Sequence, residues 1–387
     1  MTFNDFIEQN KESNYPPYVN TLVIVGAILL FLFSILLMTS SIASFGFSLS
    51  DYVINTTSNP FIGLFIGLLA TALLQSSSTT TTITVAAVAS GTLSLQAAIP
   101  VVLGANIGTT LTSTIVSMGY ITKTHEFRKA VAAGTVHDLF NIVMVLLLFP
   151  IEMKYRVLEK GSKYLASSLN TRSSESIFSG LGISSFANTI SQWFVSNLGS
   201  LITLVLGVLL LFVCIKVISK LLYNILIGRT KEKFETTVFS STLRSFSWGL
   251  FLTSAAQSSS LTTSLIVPLV ATGKVKLLRA FQFILGANIG TTITALFAAL
   301  FQSHAAIEIA LVHLLFNTVG VLIFIFIPFL SRIVVFAAEK MGQYTVKLRI
   351  VGFIYIILTF FLFPFTLIYV SEGFEKSEDN REISSED

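Results

Sequence analysis

The sequence predicts an all-α polytopic membrane protein built from two inverted repeats, each with a re-entrant helical hairpin plus spanning helices. Three observations predict this fold. Only 11% of the 387 residues are Asp, Glu, Lys or Arg, whereas a soluble domain carries roughly 25%. No charged side chain occurs between Asp51 and Lys123, an interval that must hold more than one membrane segment because a spanning helix needs only about 20 apolar residues. Finally, one half of the chain repeats the other.

Seven apolar segments are long enough to span a bilayer as helices. They lie near residues 21–46, 98–118, 130–150, 198–224, 280–301, 306–330 and 350–371. The basic residues fall in short clusters between these segments, which is typical of cytoplasmic loops and not of a nucleic-acid-binding surface.

Two further apolar segments, 61–91 and 245–273, are each interrupted midway by a polar cluster. The first cluster is Gln75 followed by three serines and four threonines, and the second is Gln257 followed by three serines. Neither flank of either cluster is long enough for a comfortable span. We therefore expect two helical hairpins that enter the membrane, turn at the polar cluster and leave on the same side.

The internal repeat is visible without gaps. Aligning 67–110 with 249–292 gives 23 identities in 44 positions, including Gly-Ala-Asn-Ile-Gly-Thr-Thr at 104–110 and 286–292. Downstream, His137-Asp138-Leu-Phe-Asn141 corresponds to His313-Leu-Leu-Phe-Asn317.

Counting spans predicts the topology. Three full spans separate the hairpins, so the second hairpin enters from the opposite face and the repeat is inverted, as in many secondary transporters. With the N-terminus in the cytoplasm, residues 119–129, 225–244, 274–279 and 331–349 lie inside, together with most of the Lys and Arg residues. The predicted divisions are a cytoplasmic N-terminal segment 1–20, a first transport repeat 21–150, an extracytoplasmic loop 151–197, a second transport repeat 198–371 and an acidic C-terminal tail 372–387.

The polar hairpin turns predict an ion site. A helix break in hydrocarbon is tolerated where the freed backbone groups line a cavity or meet protein partners, and the second half-helix presents its free N–H groups and positive dipole end. Two such turns would bind an anion without Lys or Arg. Oxygens of Gln75, Gln257, Asn106 and Asn288 suit Na⁺, and the glycines of the Gly-Ala-Asn-Ile-Gly segments would permit unwinding there in both halves.

Other interpretations of these residues stay open. Serine and threonine clusters, and the Gly-x-x-x-Gly spacing at 104–108 and 286–290, also serve helix packing. His137 and His313 favour hydrogen bonding within the bundle over metal binding, because no ligand cluster accompanies them. Asp138 is an ionisable residue inside an apolar segment, which favours a cation-site carboxylate over a structural acid.

These motifs resemble the type II sodium–phosphate cotransporters, and the short Ser-rich segment 161–191 in place of a large outer loop is typical of a bacterial homologue. The resemblance rests on the paired Gln-Ser-Ser-Ser and Gly-Ala-Asn-Ile-Gly-Thr motifs and on Thr135-Val136-His137-Asp138, and covers about residues 20–370. It implies a substrate and sodium site at Gln75, Ser76, Ser77, Ser78, Thr79, Asn106, Thr109, Thr110, Asp138, Asn141, Gln257, Ser258, Ser259, Ser260, Asn288, Thr291 and Thr292.

The resemblance also implies the activity. It predicts import of inorganic phosphate with sodium across the inner cell membrane, with no cofactor beyond the co-transported Na⁺, and Asp138 implies an additional sodium and net charge movement. The expected partners are phosphate, sodium ions and the lipid bilayer, without nucleic acid; a homodimer is left open. The alternatives are a phosphate exporter, a transporter of another oxyanion, or a membrane enzyme using His137 and Asp138 as acid and base.

Overall fold

The computed structural model describes residues 17–45, 59–168, 183–227, 237–300, 302–366 and 368–370. The predicted acidic tail and most of the N-terminal segment lie outside these ranges. The first half of the described chain contains eight helices: α1 Pro17–Ser44, α2 Pro60–Leu74, α3 Ser77–Ala89, α4 Leu95–Gly108, α5 Leu111–Met118, α6 Thr124–Tyr155, α7 Val157–Ser168 and α8 Ile183–Leu198.

The second half continues with eight more helices and a π-helical turn. They are α9 Ser200–Ile227, α10 Thr242–Ala256, α11 Ser259–Ser264, α12 Ile266–Ala271, α13 Leu277–Ala299, α14 His304–Phe326, α15 Pro328–Lys347 and α16 Ile350–Ile357, after which the π-helical turn covers Leu358–Leu362. No β-strand occurs in the ranges that the structure describes.

Seven apolar stretches of these helices are long enough to cross a membrane, and they coincide with the seven segments predicted from hydropathy. They are Val25–Ser44, Leu95–Met118, Thr124–Tyr155, Ser200–Val217, Leu277–Ala299, His304–Phe326 and Ile350–Val370. Exposed side chains on them, such as Leu29, Leu201 and Phe326, are large and apolar, as a lipid-facing surface requires. The prediction of an all-α polytopic membrane protein is confirmed.

Both polar clusters coincide with an interrupted helix. The chain passes from α2 to α3 through Gln75 and Ser76, and from α10 to α11 through Gln257 and Ser258. The four half-helices are too short to cross a bilayer alone, since about 17–25 residues are needed. Re-entry of these hairpins from opposite faces, and the division into transport repeats, stay predictions.

Glycines bring each hairpin against the following long helix. A Cβ at Gly104 of α4 would collide with the backbone of Leu64 in α2, and a Cβ at Gly286 of α13 would collide with the backbone of Phe246 in α10. These contacts lie 182 residues apart in both partners, the offset of the sequence repeat. The two halves therefore share a close helix–helix contact, not only a motif.

The prediction that the Gly-Ala-Asn-Ile-Gly segments unwind is wrong for both. Residues 104–108 lie within α4, which ends at Gly108, and residues 286–290 lie within α13, which runs unbroken from Leu277 to Ala299. Thr109 and Thr110, between α4 and α5, also keep right-handed helical backbone angles. Gly286 and Gly290 instead let the backbone of α10 approach α13 closely, and the helix keeps its own hydrogen bonds.

Three amphipathic helices lie in segments that hydropathy left as loops: α7 and α8 in 151–197, and α15 in 331–349. The buried carboxylate of Glu152 accepts the backbone N–H groups of Leu158 (2.6 Å) and Glu159 (3.1 Å), which caps the start of α7. α15 packs along α6, where Gly342 lies against the backbone carbonyl of Arg128.

We expect Gly104→Ala to destabilise the fold, because its methyl group would meet the backbone of Leu64, which cannot move aside as a flexible side chain can. Overpacking of this kind costs about 1–3 kcal/mol. The measurement is the apparent melting temperature in detergent. Gly26→Ala is the matched control, since its Cβ meets no atom within 4 Å. Equal melting temperatures for both variants would contradict the packing.

Candidate functional site

The first hairpin turn (Gln75–Ser78, the first tip) is a sharp reversal at the start of a capped helix. Gln75 adopts a left-handed conformation with φ 52°, which is uncommon for a residue with a side chain. Ser76 is the N-cap of α3, and its Oγ accepts the N–H of Thr79 at 3.2 Å. The N–H groups of Ser77 and Ser78 have no acceptor within the helix.

The second hairpin turn (Gln257–Ser260, the second tip) repeats this geometry. Gln257 has φ 50°, and the N-cap Ser258 accepts the N–H of Leu261 at 3.3 Å. Both tips thus use a left-handed glutamine followed by a capping serine. The equivalence extends from sequence to backbone conformation.

The two tips contact each other directly. Ser78 Oγ donates to the backbone carbonyl of Gln257 at 3.0 Å, and Ser260 Oγ donates to the backbone carbonyl of Gln75 at 3.3 Å. The donor and acceptor of one bond are the repeat equivalents of those in the other. Two helix N-termini are consequently held together at the contact between the halves.

Two buried side-chain oxygens at the tips, Ser77 Oγ and Gln257 Oε1, have no hydrogen-bond partner in the described part of the chain. Unpaired buried oxygens carry a desolvation cost of about 1–3 kcal/mol each. Neither 59–91 nor 245–273 contains Lys or Arg, so positive potential at the tips comes from backbone N–H groups and helix dipoles.

A crossed polar network also links the two halves. His137 of α6 is hydrogen-bonded through Nε2 to Asn288 Oδ1 of α13 at 2.8 Å, and His313 of α14 faces Asn106 Oδ1 of α4 at 3.3 Å. Each pair joins one half to the other. All four side chains are buried.

Two further asparagines complete this network. Asn141 Nδ2 donates to the backbone carbonyl of Asn106 at 2.8 Å, and Asn317 Nδ2 donates to Asn106 Oδ1 at 3.1 Å. Asn317 was not among the predicted site residues, although its correspondence to Asn141 in the repeat was a signal for it. The network agrees with the expected bundle hydrogen bonding of both histidines. Among the described residues, no group of three His, Cys, Asp or Glu side chains could hold a metal ion.

Asp138 lies next to this network in a separate polar cluster. Its Oδ2 accepts the hydroxyls of Thr114 (2.7 Å) and Tyr355 (3.0 Å), while its Oδ1 is buried without a partner in the ranges described. α5 connects this cluster with the second hairpin, because Ser113 is hydrogen-bonded to Thr263 of α11 at 3.0 Å. Thr114 and Tyr355 were not predicted, since neither lies in a repeated motif.

The threonines of the paired motifs donate their hydroxyl protons to their own helices. Thr109 and Thr110 donate to Ala105 and Ile107 in the first half, and Thr291 and Thr292 donate to Ala287 and Ile289 in the second. Such a hydroxyl retains lone pairs for a cation. Their predicted role as ligands stays a prediction, as does that of the remaining site residues.

Fold and site together define a polytopic α-helical membrane protein with two interrupted hairpins joined at their polar tips. The sequence profile of the Na+/Pi-cotransporter family matches residues 30–218 and 209–361. The chain belongs to this family.

Individual relatives agree with the family assignment. The chain is 29% identical to sodium-dependent phosphate transport protein 2B of Homo sapiens, over 90% of the chain and 65% of that protein. It is 31% identical to protein 2A of Ovis aries, over 79% of the chain and 60% of the relative. The chain thus spans about 65% or less of the length of these relatives. No solved structure matches the chain significantly.

We expect a double-mutant cycle on His137 and Asn288 to show coupling, because removing either partner leaves the other buried and unpaired. Contacting pairs couple by about 0.5–3 kcal/mol, so the losses in melting temperature for His137→Ala and Asn288→Ala should sum to more than the loss in the double variant. Asn197→Ala is the control partner for His137, since Asn197 is exposed in α8. Additive losses for His137 and Asn288 would contradict the pairing.

Proposed function

We propose that this chain is a secondary transporter that imports inorganic phosphate with the sodium gradient by alternating access around the two tips. The observation that carries the proposal is the reciprocal contact of Ser78 with Gln257 and of Ser260 with Gln75. The relatives are named as sodium-dependent phosphate transport proteins, which supports both ions.

Phosphate would bind where the N-termini of α3 and α11 approach. The unpaired N–H groups of each first turn and the serine hydroxyls are donors, and both helix dipoles favour negative charge there. Ser77 Oγ, which is buried and has no partner within the described ranges, is an additional donor. Backbone and hydroxyl donors suit a tetrahedral oxyanion, but they leave most of its charge uncompensated.

Sodium would supply that compensation. Na⁺ is a hard cation that takes oxygen ligands, and Gln257 Oε1 and Asp138 Oδ1 are both buried oxygens without a partner among the residues that the structure describes. The carbonyls of Gln75 and Gln257, and the threonine hydroxyls of the paired motifs, are further oxygens in the two halves. Binding of the anion and the cation would then be mutually dependent, which is the basis of coupling.

Alternating access is supported by the equivalence of the two halves. The hairpin contacts, the tip contacts and the histidine–asparagine pairs each occur once per half. Halves with the same contacts but opposite orientation would let the site open to either side by exchanging their conformations. The seven apolar spans support a multi-pass membrane location, and the membrane in this proposal is the inner cell membrane.

The experiment that tests the function is uptake of labelled phosphate into proteoliposomes containing the purified chain. We expect accumulation with an inward sodium gradient and none with potassium, and we expect excess sulfate to compete less than arsenate because arsenate shares the charge and geometry of phosphate. Hydrolysis of a phosphoester without uptake would instead favour the enzyme, and sodium-independent efflux would favour the exporter.

Replacing the tip hydroxyls should slow transport. Ser78→Ala and Ser260→Ala each remove one bond between the tips; the net worth of about 0.5–1.5 kcal/mol per hydrogen bond gives a loss of sodium-driven uptake on the order of fivefold. Ser34→Ala is the control, because that buried serine donates only to the carbonyl of Phe31 in its own helix. Full uptake by both tip variants would contradict this role and would indicate that these serines serve helix packing only.

Asp138 should control the charge moved per cycle. We expect Asp138→Gly to abolish the transport current while sodium-dependent uptake persists, because the variant loses one cation-binding carboxylate. The measurement is uptake and current in the same proteoliposomes. Glu308→Gln is the control, since Glu308 pairs with His304 at 3.1 Å near the start of α14. A current that survives Asp138→Gly would rule out this role.

A further inference from the structure

A second polar feature lies away from the tips, where three segments predicted to be cytoplasmic meet. It is a cavity of about 490 Å³ between the start of α6, the turn from α12 to α13, and the middle of α15. Arg128 and Lys129 come from the first segment, Lys276 from the second, and Glu339 and Gln343 from the third. Cavities of this size hold small ligands.

The cavity has an excess of unpaired positive charge. Arg128, Lys129 and Lys276 line it together with one acid, Glu339, and in the described ranges none of the three bases forms an ion pair. The Lys129 ammonium lies within reach of Gly273, at 3.0 Å from where a Cβ on that glycine would sit. Three basic side chains beside a single acid give the cavity a net positive charge, which favours an anionic ligand.

The start of α13 adds to this potential. Lys276 is its N-cap and makes no side-chain capping hydrogen bond, and Leu277 and Leu278, the first two residues of the helix, line the same cavity. Their N–H groups have no acceptor within the helix. The helix dipole therefore acts in the same direction as the three basic side chains.

We propose that this cavity binds a phosphate group distinct from the transported one: the headgroup phosphate of an anionic phospholipid or, with the same chemistry, free phosphate. The apolar part of the lining favours the lipid, since Val335 and Leu278 flank the bases and Leu278 is 47% exposed. Basic pockets between membrane helices on the cytoplasmic side bind anionic headgroups.

A ligand in this cavity would contact helices that also carry the crossed polar network. α6 bears both the cavity bases and His137, while α13 bears the cavity rim and Asn288. α15 closes the third side. Binding would therefore stabilise the present arrangement of α6, α13 and α15 and oppose their relative movement.

The test is binding of dihexanoyl-phosphatidylglycerol to the purified full chain in neutral detergent, with choline chloride replacing sodium so that the proposed transport site does not take up phosphate. We expect saturable binding that weakens by about tenfold or more in the triple variant Arg128→Gln, Lys129→Gln, Lys276→Gln. The matched control is Arg332→Gln, Lys340→Gln, Lys347→Gln, which removes three charges from α15 outside the cavity and should change affinity by less than about twofold.

Two further arms complete the design. If inorganic phosphate binds without sodium and this binding is lost only in the cavity triple variant, the ligand is free phosphate. If phosphatidylglycerol binding is lost only in that variant, the ligand is the lipid.

Glu339→Gln should tighten binding and serves as the test if the triple variant does not fold. Equal affinity in the two triple variants, or no effect of Glu339→Gln, would overturn the proposal. Sodium-driven uptake is measured separately, so a failure here leaves the transport function standing.

Discussion

The structure depends on one constraint: backbone freed by a helix break inside a membrane must find partners within the protein. Here the two broken hairpins satisfy each other. Ser78 binds the carbonyl of Gln257, and Ser260 binds that of Gln75, so each tip is completed by the other half. Each turn therefore depends on a hydrogen bond from the other half. The joined tips are also where helix N-termini, unpaired oxygens and hydroxyls lie close together.

The crossed histidine–asparagine pairs are a second place where each half supplies hydrogen-bond partners for the other. His137 binds Asn288 and His313 faces Asn106, so both halves are linked by side chains as well as by backbone. The two halves differ in the direction of one hydrogen bond: Asn317 Nδ2 donates to Asn106 Oδ1 at 3.1 Å, whereas at the equivalent contact Asn288 Nδ2 donates to Asn141 Oδ1 at 3.4 Å.

Hydropathy was sufficient to predict the seven spans, and the internal repeat was sufficient to predict that the two tips are equivalent. Both features can be recognised in short stretches of sequence. Contacts between distant elements could not be predicted in this way. Tyr355 reaches Asp138 from a helix 217 residues away, and no motif marks it. From the sequence alone, the glycines of α13 were compatible with either unwinding or close packing. The structure shows close packing, because the backbone of α10 lies against them. The amphipathic α7 and α15 were missed because an apolar-length criterion does not detect half-polar helices.

The most direct measurement of the central claim is disulfide cross-linking between the tips. Cys214, buried in α9, is the one cysteine in the sequence, so Cys214→Ala gives a clean background for the pair Gln75→Cys and Ser260→Cys. If the tips meet and the ion site lies between them, oxidation will form an intramolecular cross-link and stop sodium-driven phosphate uptake, and a reductant will restore it. Absence of the cross-link, or full uptake in the cross-linked protein, would contradict the account.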